Sequence, residues 1–252
     1  MIALLAPTLG ALLVGTSLGL LGSGGSILTV PILVFVLGHP EKAAIAESLA
    51  IVGAIATVGG VSSAVMKQVD WPIVFWFGLS AVGGSYVGAW VSQWIPGPVQ
   101  LLMFAALLIP ASYQMLSRTE LQPRICRPAC LVGAGIGIGT LSGMVGVGGG
   151  FLAVPALVLL GGLSLRLAMG TSLMVIAFSS AVGFAKHLHL LGRSAMSVDW
   201  SVIALFVVVG IVASAGGQWV AGRVPTTGLR RAFGALLLCV TAFTAFEMLR
   251  VV

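Results

Sequence analysis

Two short glycine-rich segments carry the most distinctive chemistry in this chain. Gly22-Ser-Gly-Gly-Ser26 and Gly146-Val-Gly-Gly-Gly150 each interrupt a long apolar run, and each leads into a Val-Pro pair, at Pro31 and Pro155. Glycine costs roughly 1 kcal/mol per residue in a helix interior, so a cluster of them ends one helix and starts another. A helix that starts at such a break presents unpaired N–H groups and a positive dipole end, which attract an anion without any charged side chain. Ser23, Ser26 and Thr29 add hydroxyls to the first copy, where Val147, Gly150 and Ala153 stand in the second. Two matching breaks in two halves of a membrane chain mark the central site of a transporter, and their helix starts are expected to face one another near the midplane. Gly22, Ser23, Gly24, Gly25 and Ser26, with Gly146, Val147, Gly148, Gly149 and Gly150, are therefore candidate substrate-binding residues.

A second group follows each break. Glu47 lies about one turn inside an apolar segment beside Ser48, and the corresponding pair later in the chain is Thr171-Ser172. An intramembrane carboxylate is a candidate proton carrier; the alternative is an interfacial group that pairs with Lys42 or caps its helix. Ser48, Thr171 and Ser172 join the candidate binding residues. Lys42 and Arg166 hold matching positions, from which they could draw an anion inward or merely mark helix ends and snorkel. His187 and His189 point apart on a helix, so a shared metal is not expected. Asp70 and Asp199, each followed by a Trp, read as helix caps. The glycine clusters lack the strand and lysine of a phosphate loop. Three cysteines, Cys126, Cys130 and Cys239, form no disulfide framework. With no nucleophile–base pair and no metal spacing, neither an enzyme nor a cofactor is expected.

The elements that must position these groups are membrane helices. The chain of 252 residues is 59% hydrophobic and only 7% charged, where a soluble domain carries about 25% charged residues. Mean hydropathy is +1.16. Apolar runs long enough to span a bilayer fill most of the chain, which gives an all-α polytopic membrane protein and excludes the short alternating segments of a β-barrel. The basic residues sit at helix ends rather than in a cluster, which excludes a nucleic-acid surface. Met1 opens directly on an apolar run, read as a retained first helix rather than a signal peptide.

The two halves repeat. A shift of 124 places sets Gly19, Gly22, Gly24, Gly25 and Pro31 on Gly143, Gly146, Gly148, Gly149 and Pro155, and Lys42 on Arg166. A shift of 129 sets Asp70-Trp71 on Asp199-Trp200, Trp90 on Trp219 and Pro96 on Pro225. Residues 1–117 form the first repeat, 118–128 a linker and 129–252 the second. Each repeat holds five helical segments, an odd number, so the second is expected to be inverted. Lys67, Arg118, Arg124, Arg127, Arg166, Arg223, Arg230 and Arg231 then share one side, against Lys42, Lys186, Arg193 and Arg250. The positive-inside rule makes the linker cytoplasmic and puts both termini outside. Gly15-x3-Gly19, Gly84-x3-Gly88 and Gly133-x3-Gly137 read as close helix-packing pairs.

Gly-x2-Gly-x-Gly-Gly running into Val-Pro, followed by Gly170-Thr-Ser-Leu173 and the two Asp-Trp starts, resembles the sulfite exporter TauE/SafE family over essentially the whole chain. The resemblance implies a bacterial inner-membrane permease for a small sulfur-containing anion such as sulfite or an organosulfonate. Export driven by a proton or cation gradient, and assembly as a homodimer in the lipid bilayer, are extensions of it. The first copy departs at Ala46-Glu-Ser-Leu49, where a carboxylate replaces the small hydroxyl residue of the second. A passive anion channel or a non-transporting membrane protein is the alternative outcome.

Overall fold

The computed structural model describes residues 2–22, 25–116, 128–146, 150–193, 198–224 and 226–251. Among these the chain is helical and has no strand. The first half contains α1 (Ile2–Leu21), α2 (Gly25–Pro31), α3 (Glu41–Val65), α4 (Trp71–Trp94) and α5 (Gly97–Leu116). The second contains α6 (Pro128–Val145), α7 (Gly150–Leu159), α8 (Leu165–Arg193), α9 (Trp200–Ala221) and α10 (Thr226–Val251). Two π-helical turns occur in the first half, at Ile32–Val36 after Pro31 and at Val74–Gly78 inside α4. Among the described residues α3, α4, α8 and α9 are long and apolar enough to cross a membrane. The linker falls almost entirely outside the described residues.

Each element follows from its local chemistry. Asp70 and Asp199 cap α4 and α9: one carboxylate oxygen of Asp70 accepts from Ile73 N at 3.1 Å, and one of Asp199 accepts from Ser201 N at 2.8 Å and Val202 N at 3.2 Å. Gly38 and Gly162, at φ +72° and +65°, turn the chain from each short helix into the next long one. Helix α8 runs through the polar stretch Lys186-His-Leu-His189 to Arg193. Burial of His187 against the Gly143 carbonyl, at 2.9 Å from Nε2, and the stacking of Lys186 over the Tyr86 ring hold that last part helical.

The helix contacts follow the repeat. The most extensive are α1 with α9 and α4 with α6, an exchanged pair in which the first helix of each half packs on the fourth of the other. Helix α3 packs on its counterpart α8, and α5 on its counterpart α10. Leu49 lies against Gly183, Gly53 against Ser180, Gly60 against Met174 and Ser63 against Gly170. These positions rise in α3 as they fall in α8, so the two equivalent helices run antiparallel. Helix α1 runs parallel to α9, with Gly15 on Gly210 and Gly19 on Ser214.

Close backbone approach explains two of the three glycine pairs. Cβ atoms at Gly15, Gly19, Gly84 and Gly88 would run into the backbone of the facing helix. The third pair is corrected: Gly133 and Gly137 have nothing within 4 Å, and the contacts are made instead by Gly135, Gly139 and Gly143 against Phe77, Ser80, Ala81 and Ser85. Helix α6 carries glycine on two stripes, and only one faces α4. The repeat already marks which one, since Gly15 and Gly19 correspond to Gly139 and Gly143.

Candidate functional site

Both breaks turn on a glycine with positive φ, +71° at Gly22 and +77° at Gly146. Each presses against the third helix of the other half, Gly22 on Met169 of α8 and Gly146 on Ile45 of α3. Met169 and Ile45 are themselves equivalent in the repeat. After the first break the chain doubles back: Gly25 packs on Val14 and Leu18, and Ile32 packs on Gly10, so α2 runs antiparallel to α1 as a hairpin. Ser26 and Thr29 are buried in this hairpin, and Thr29 Oγ1 donates to the Gly25 carbonyl at 3.2 Å. The helix starts do not oppose one another at the midplane. Gly22 lies near the start of α8 and Gly146 near the start of α3, and because those helices are antiparallel the two breaks sit towards opposite ends of the bundle. Helices α2 and α7 pass each other in between, where Ile27, Val30 and Val154 share a core cluster. Ser23, Gly24, Val147, Gly148 and Gly149 lie outside the described residues, and Gly150 opens α7.

Three of the hydroxyl and carboxylate candidates, Ser48, Thr171 and Glu47, act as ties between the halves. Ser48 Oγ faces the carbonyls of Ile45, at 2.9 Å, and of Gly146, so it holds the second break onto α3. Its counterpart Ser172 donates to the Met169 carbonyl at 2.8 Å. Thr171 Oγ1 accepts the backbone N–H of Asp70 at 3.0 Å. Glu47 makes the equivalent tie on the other side: its Oε1 accepts the backbone N–H of Asp199 at 2.9 Å. Its Oε2 lies 2.6 Å from His39 Nδ1, and the carboxylate is 1% exposed. Glu47 therefore pairs neither with Lys42 nor with the start of its own helix. The departure from the repeat is paired, since His39 and Glu47 stand where the second half has Leu163 and Thr171.

Two cavities flank this arrangement. One, of about 100 Å³, lies beside the first break and is lined by Gly19, Gly22, Ser63, Gln68, Arg166 and Gln218, among others. The other, of about 300 Å³, is lined by Lys42, Ser92, Gln93, Trp94, Gln100, His187, Leu190 and Leu191. Lys42, His187, Leu190, Ser92, Gln93 and Gln100 correspond in the repeat to Arg166, Ser63, Met66, Ala221, Gly222 and Leu229, all of which line the first cavity. The two cavities are thus the same place in the two halves. They sit at opposite ends of the α3–α8 pair, about 30 Å apart by helix rise between Lys42 and Ser63. Lys42 and Arg166, matched by sequence, each line one. The Arg166 guanidinium also donates to the carbonyls of Gly222 at 3.3 Å and Val224 at 3.4 Å, where α9 ends.

Sequence reasoning missed the glutamines, His39 and the packing role of His187. A polar amide inside an apolar run, as at Gln100 and Gln218, was the available signal. Among the described residues no group of three or more His, Cys, Asp or Glu could hold a metal. Cys239 is a free thiol, and Cys126 lies outside the described residues.

A profile of the sulfite exporter TauE/SafE family matches residues 8–244. This chain belongs to the TauE/SafE family. It is 32% identical over 250 residues to a probable membrane transporter protein of Xylella fastidiosa, covering 93% of this chain and 92% of that one. The probable membrane transporter protein YunE of Bacillus subtilis is 27% identical over 206 residues, covering 70% and 75% of the two chains. One from Methanocaldococcus jannaschii is 28% identical over 190 residues, covering 70% and 71%. No solved structure matches. The family and its relatives make this TauE/SafE member a multi-pass membrane transporter.

Proposed function

We propose that this chain is a secondary active transporter that exports a small sulfur-containing anion, such as sulfite or an organosulfonate, by alternating access between the two equivalent cavities. The observation that carries this reading is their placement: two repeat-equivalent cavities, one of them beside the first break, at opposite ends of two antiparallel, repeat-related helices. That antiparallel pairing supports a second repeat (129–252) inverted relative to the first (1–117), and the distribution of basic residues supports residues 118–128 being cytoplasmic and both termini outside a bacterial inner membrane. The sulfur-containing substrate rests on the family's description. The breaks, with Ser48, Thr171 and Ser172, form the region through which the anion passes; Lys42 and Arg166 attract it at the two mouths; and Glu47, hydrogen-bonded to His39, carries the coupling proton. The chain performs no chemistry on its cargo and assembles as a homodimer.

The test is sulfite flux in proteoliposomes, with and without an imposed proton gradient. Saturable flux stimulated severalfold by the gradient is expected. Equal flux in both conditions would replace the transporter with a passive channel, and no flux of sulfite or an organosulfonate would remove the substrate class.

A further inference from the structure

The larger cavity has a chemistry that its counterpart lacks. Gln100 is 2% exposed, and its Nε2 donates to the Ser92 carbonyl at 2.9 Å. That bond sets the amide's orientation, because the flipped amide would bring oxygen against oxygen. Its Oε1 is left buried without a hydrogen-bond partner. Buried acceptors in native proteins are nearly always paired, so one that lines a cavity points to a donor supplied from outside the chain.

Two neighbours define what that donor is attached to. Lys42 makes no hydrogen bond or ion pair among the described residues, whereas Arg166 in the counterpart cavity is held by two carbonyls. His187 Nε2 faces the Gly143 carbonyl at 2.9 Å and must carry its hydrogen there, so that N–H is not offered to a ligand. The cavity therefore combines one uncommitted cation with one unpaired buried acceptor. A metal cation or an amine would be repelled by Lys42. A bare oxyanion would satisfy Lys42 and leave the Gln100 oxygen orphaned.

We propose that this cavity binds a small monoanion that carries its own O–H group, with the negative end on Lys42 and the hydroxyl donating to Gln100 Oε1. The counterpart cavity has no such acceptor at this position, because Leu229 replaces Gln100. The discrimination is therefore built into one end of the transport route. This inference deepens the anion reading above and rests on it.

Two sulfonates of equal charge and nearly equal size separate the cases: 2-hydroxyethanesulfonate, which has the hydroxyl, and propane-1-sulfonate, which has a methyl in its place. Binding to the full-length purified protein is measured by titration calorimetry for the wild type, Gln100→Leu and Lys42→Met. The wild type should prefer the hydroxysulfonate by roughly five- to tenfold, the worth of one neutral hydrogen bond. Gln100→Leu should abolish the preference while leaving propane-1-sulfonate binding unchanged. Lys42→Met should weaken both ligands in parallel. Gln100→Leu is expected to fold, since the Ser92 carbonyl also accepts the Ile95 N–H at 3.2 Å. Should it not, the wild-type preference together with the Lys42→Met result decides. Equal binding of both sulfonates, or a preference that survives Gln100→Leu, would overturn the inference, make the cavity a water-filled vestibule and leave the anion reading standing. Binding of neither sulfonate would overturn both.

Discussion

Gly146→Ala should destabilise the protein far more than Gly38→Ala, although both glycines have positive φ. An alanine forced into that backbone region costs roughly 1–2 kcal/mol by itself. At Gly38, with φ +72°, a Cβ meets nothing within 4 Å, so this is the whole expected cost. At Gly146 the new Cβ would sit 2.8 Å from Ile45 Cβ and 2.9 Å from Ile45 Cα, so α3 and the break must separate. Overpacking of that kind adds typically 1–3 kcal/mol and here also strains the bond from Ser48 Oγ to the Gly146 carbonyl. Gly22→Ala should behave like Gly146→Ala, because its Cβ would lie 2.9 Å from Met169 Cα. Thermal unfolding in detergent orders the three variants. Equal losses at 38 and 146 would show that the breaks need glycine only for its dihedral freedom and not for contact with the opposite half.

Replacement of Glu47 separates a structural role from a coupling role. Glu47→Ala leaves the part-buried Asp199 N–H and the His39 ring without their shared partner, a loss of roughly 2–5 kcal/mol. The double variant Glu47→Thr/His39→Leu installs the pair that the second half already uses at Thr171 and Leu163, and should recover at least half of that loss. Glu47→Gln keeps an acceptor for Asp199 N–H and a donor for His39 Nδ1, and should fold normally. It cannot carry a proton, so stimulation of flux by a proton gradient should disappear while downhill flux persists. A stable Glu47→Gln protein with full gradient stimulation would leave the carboxylate as a tie only.

The sequence was most legible where composition and the repeat act together. Five segments per half, the Asp caps at Asp70 and Asp199, and the breaks at Gly22 and Gly146 all follow from local backbone chemistry or from two copies agreeing. Depth was less legible. A glycine cluster announces that a helix ends, but which neighbour it meets depends on how the other half packs, so the breaks were expected opposed and lie offset. The tie from Glu47 to Asp199 joins residues 152 positions apart, and no local pattern reports it. The stripe on α6 could have been chosen correctly from the repeat alone. The two cavities could not, since their polar residues come from four or more segments and become neighbours only in the folded chain.

Alternating access requires the equivalent cavities to open to opposite sides of the membrane. Met66 and Leu190 hold matching positions in the repeat and line the two cavities. In a protein with Cys126, Cys130 and Cys239 changed to serine, Met66→Cys and Leu190→Cys are made singly and exposed in intact cells to a membrane-impermeant thiol reagent. The account predicts that the cysteine at 190 reacts from outside while the one at 66 reacts only after the cytoplasmic face is opened, and that sulfite shifts the two reactivities in opposite directions. Reaction of both cysteines from the same side would contradict the inverted arrangement and, with it, alternating access between these cavities.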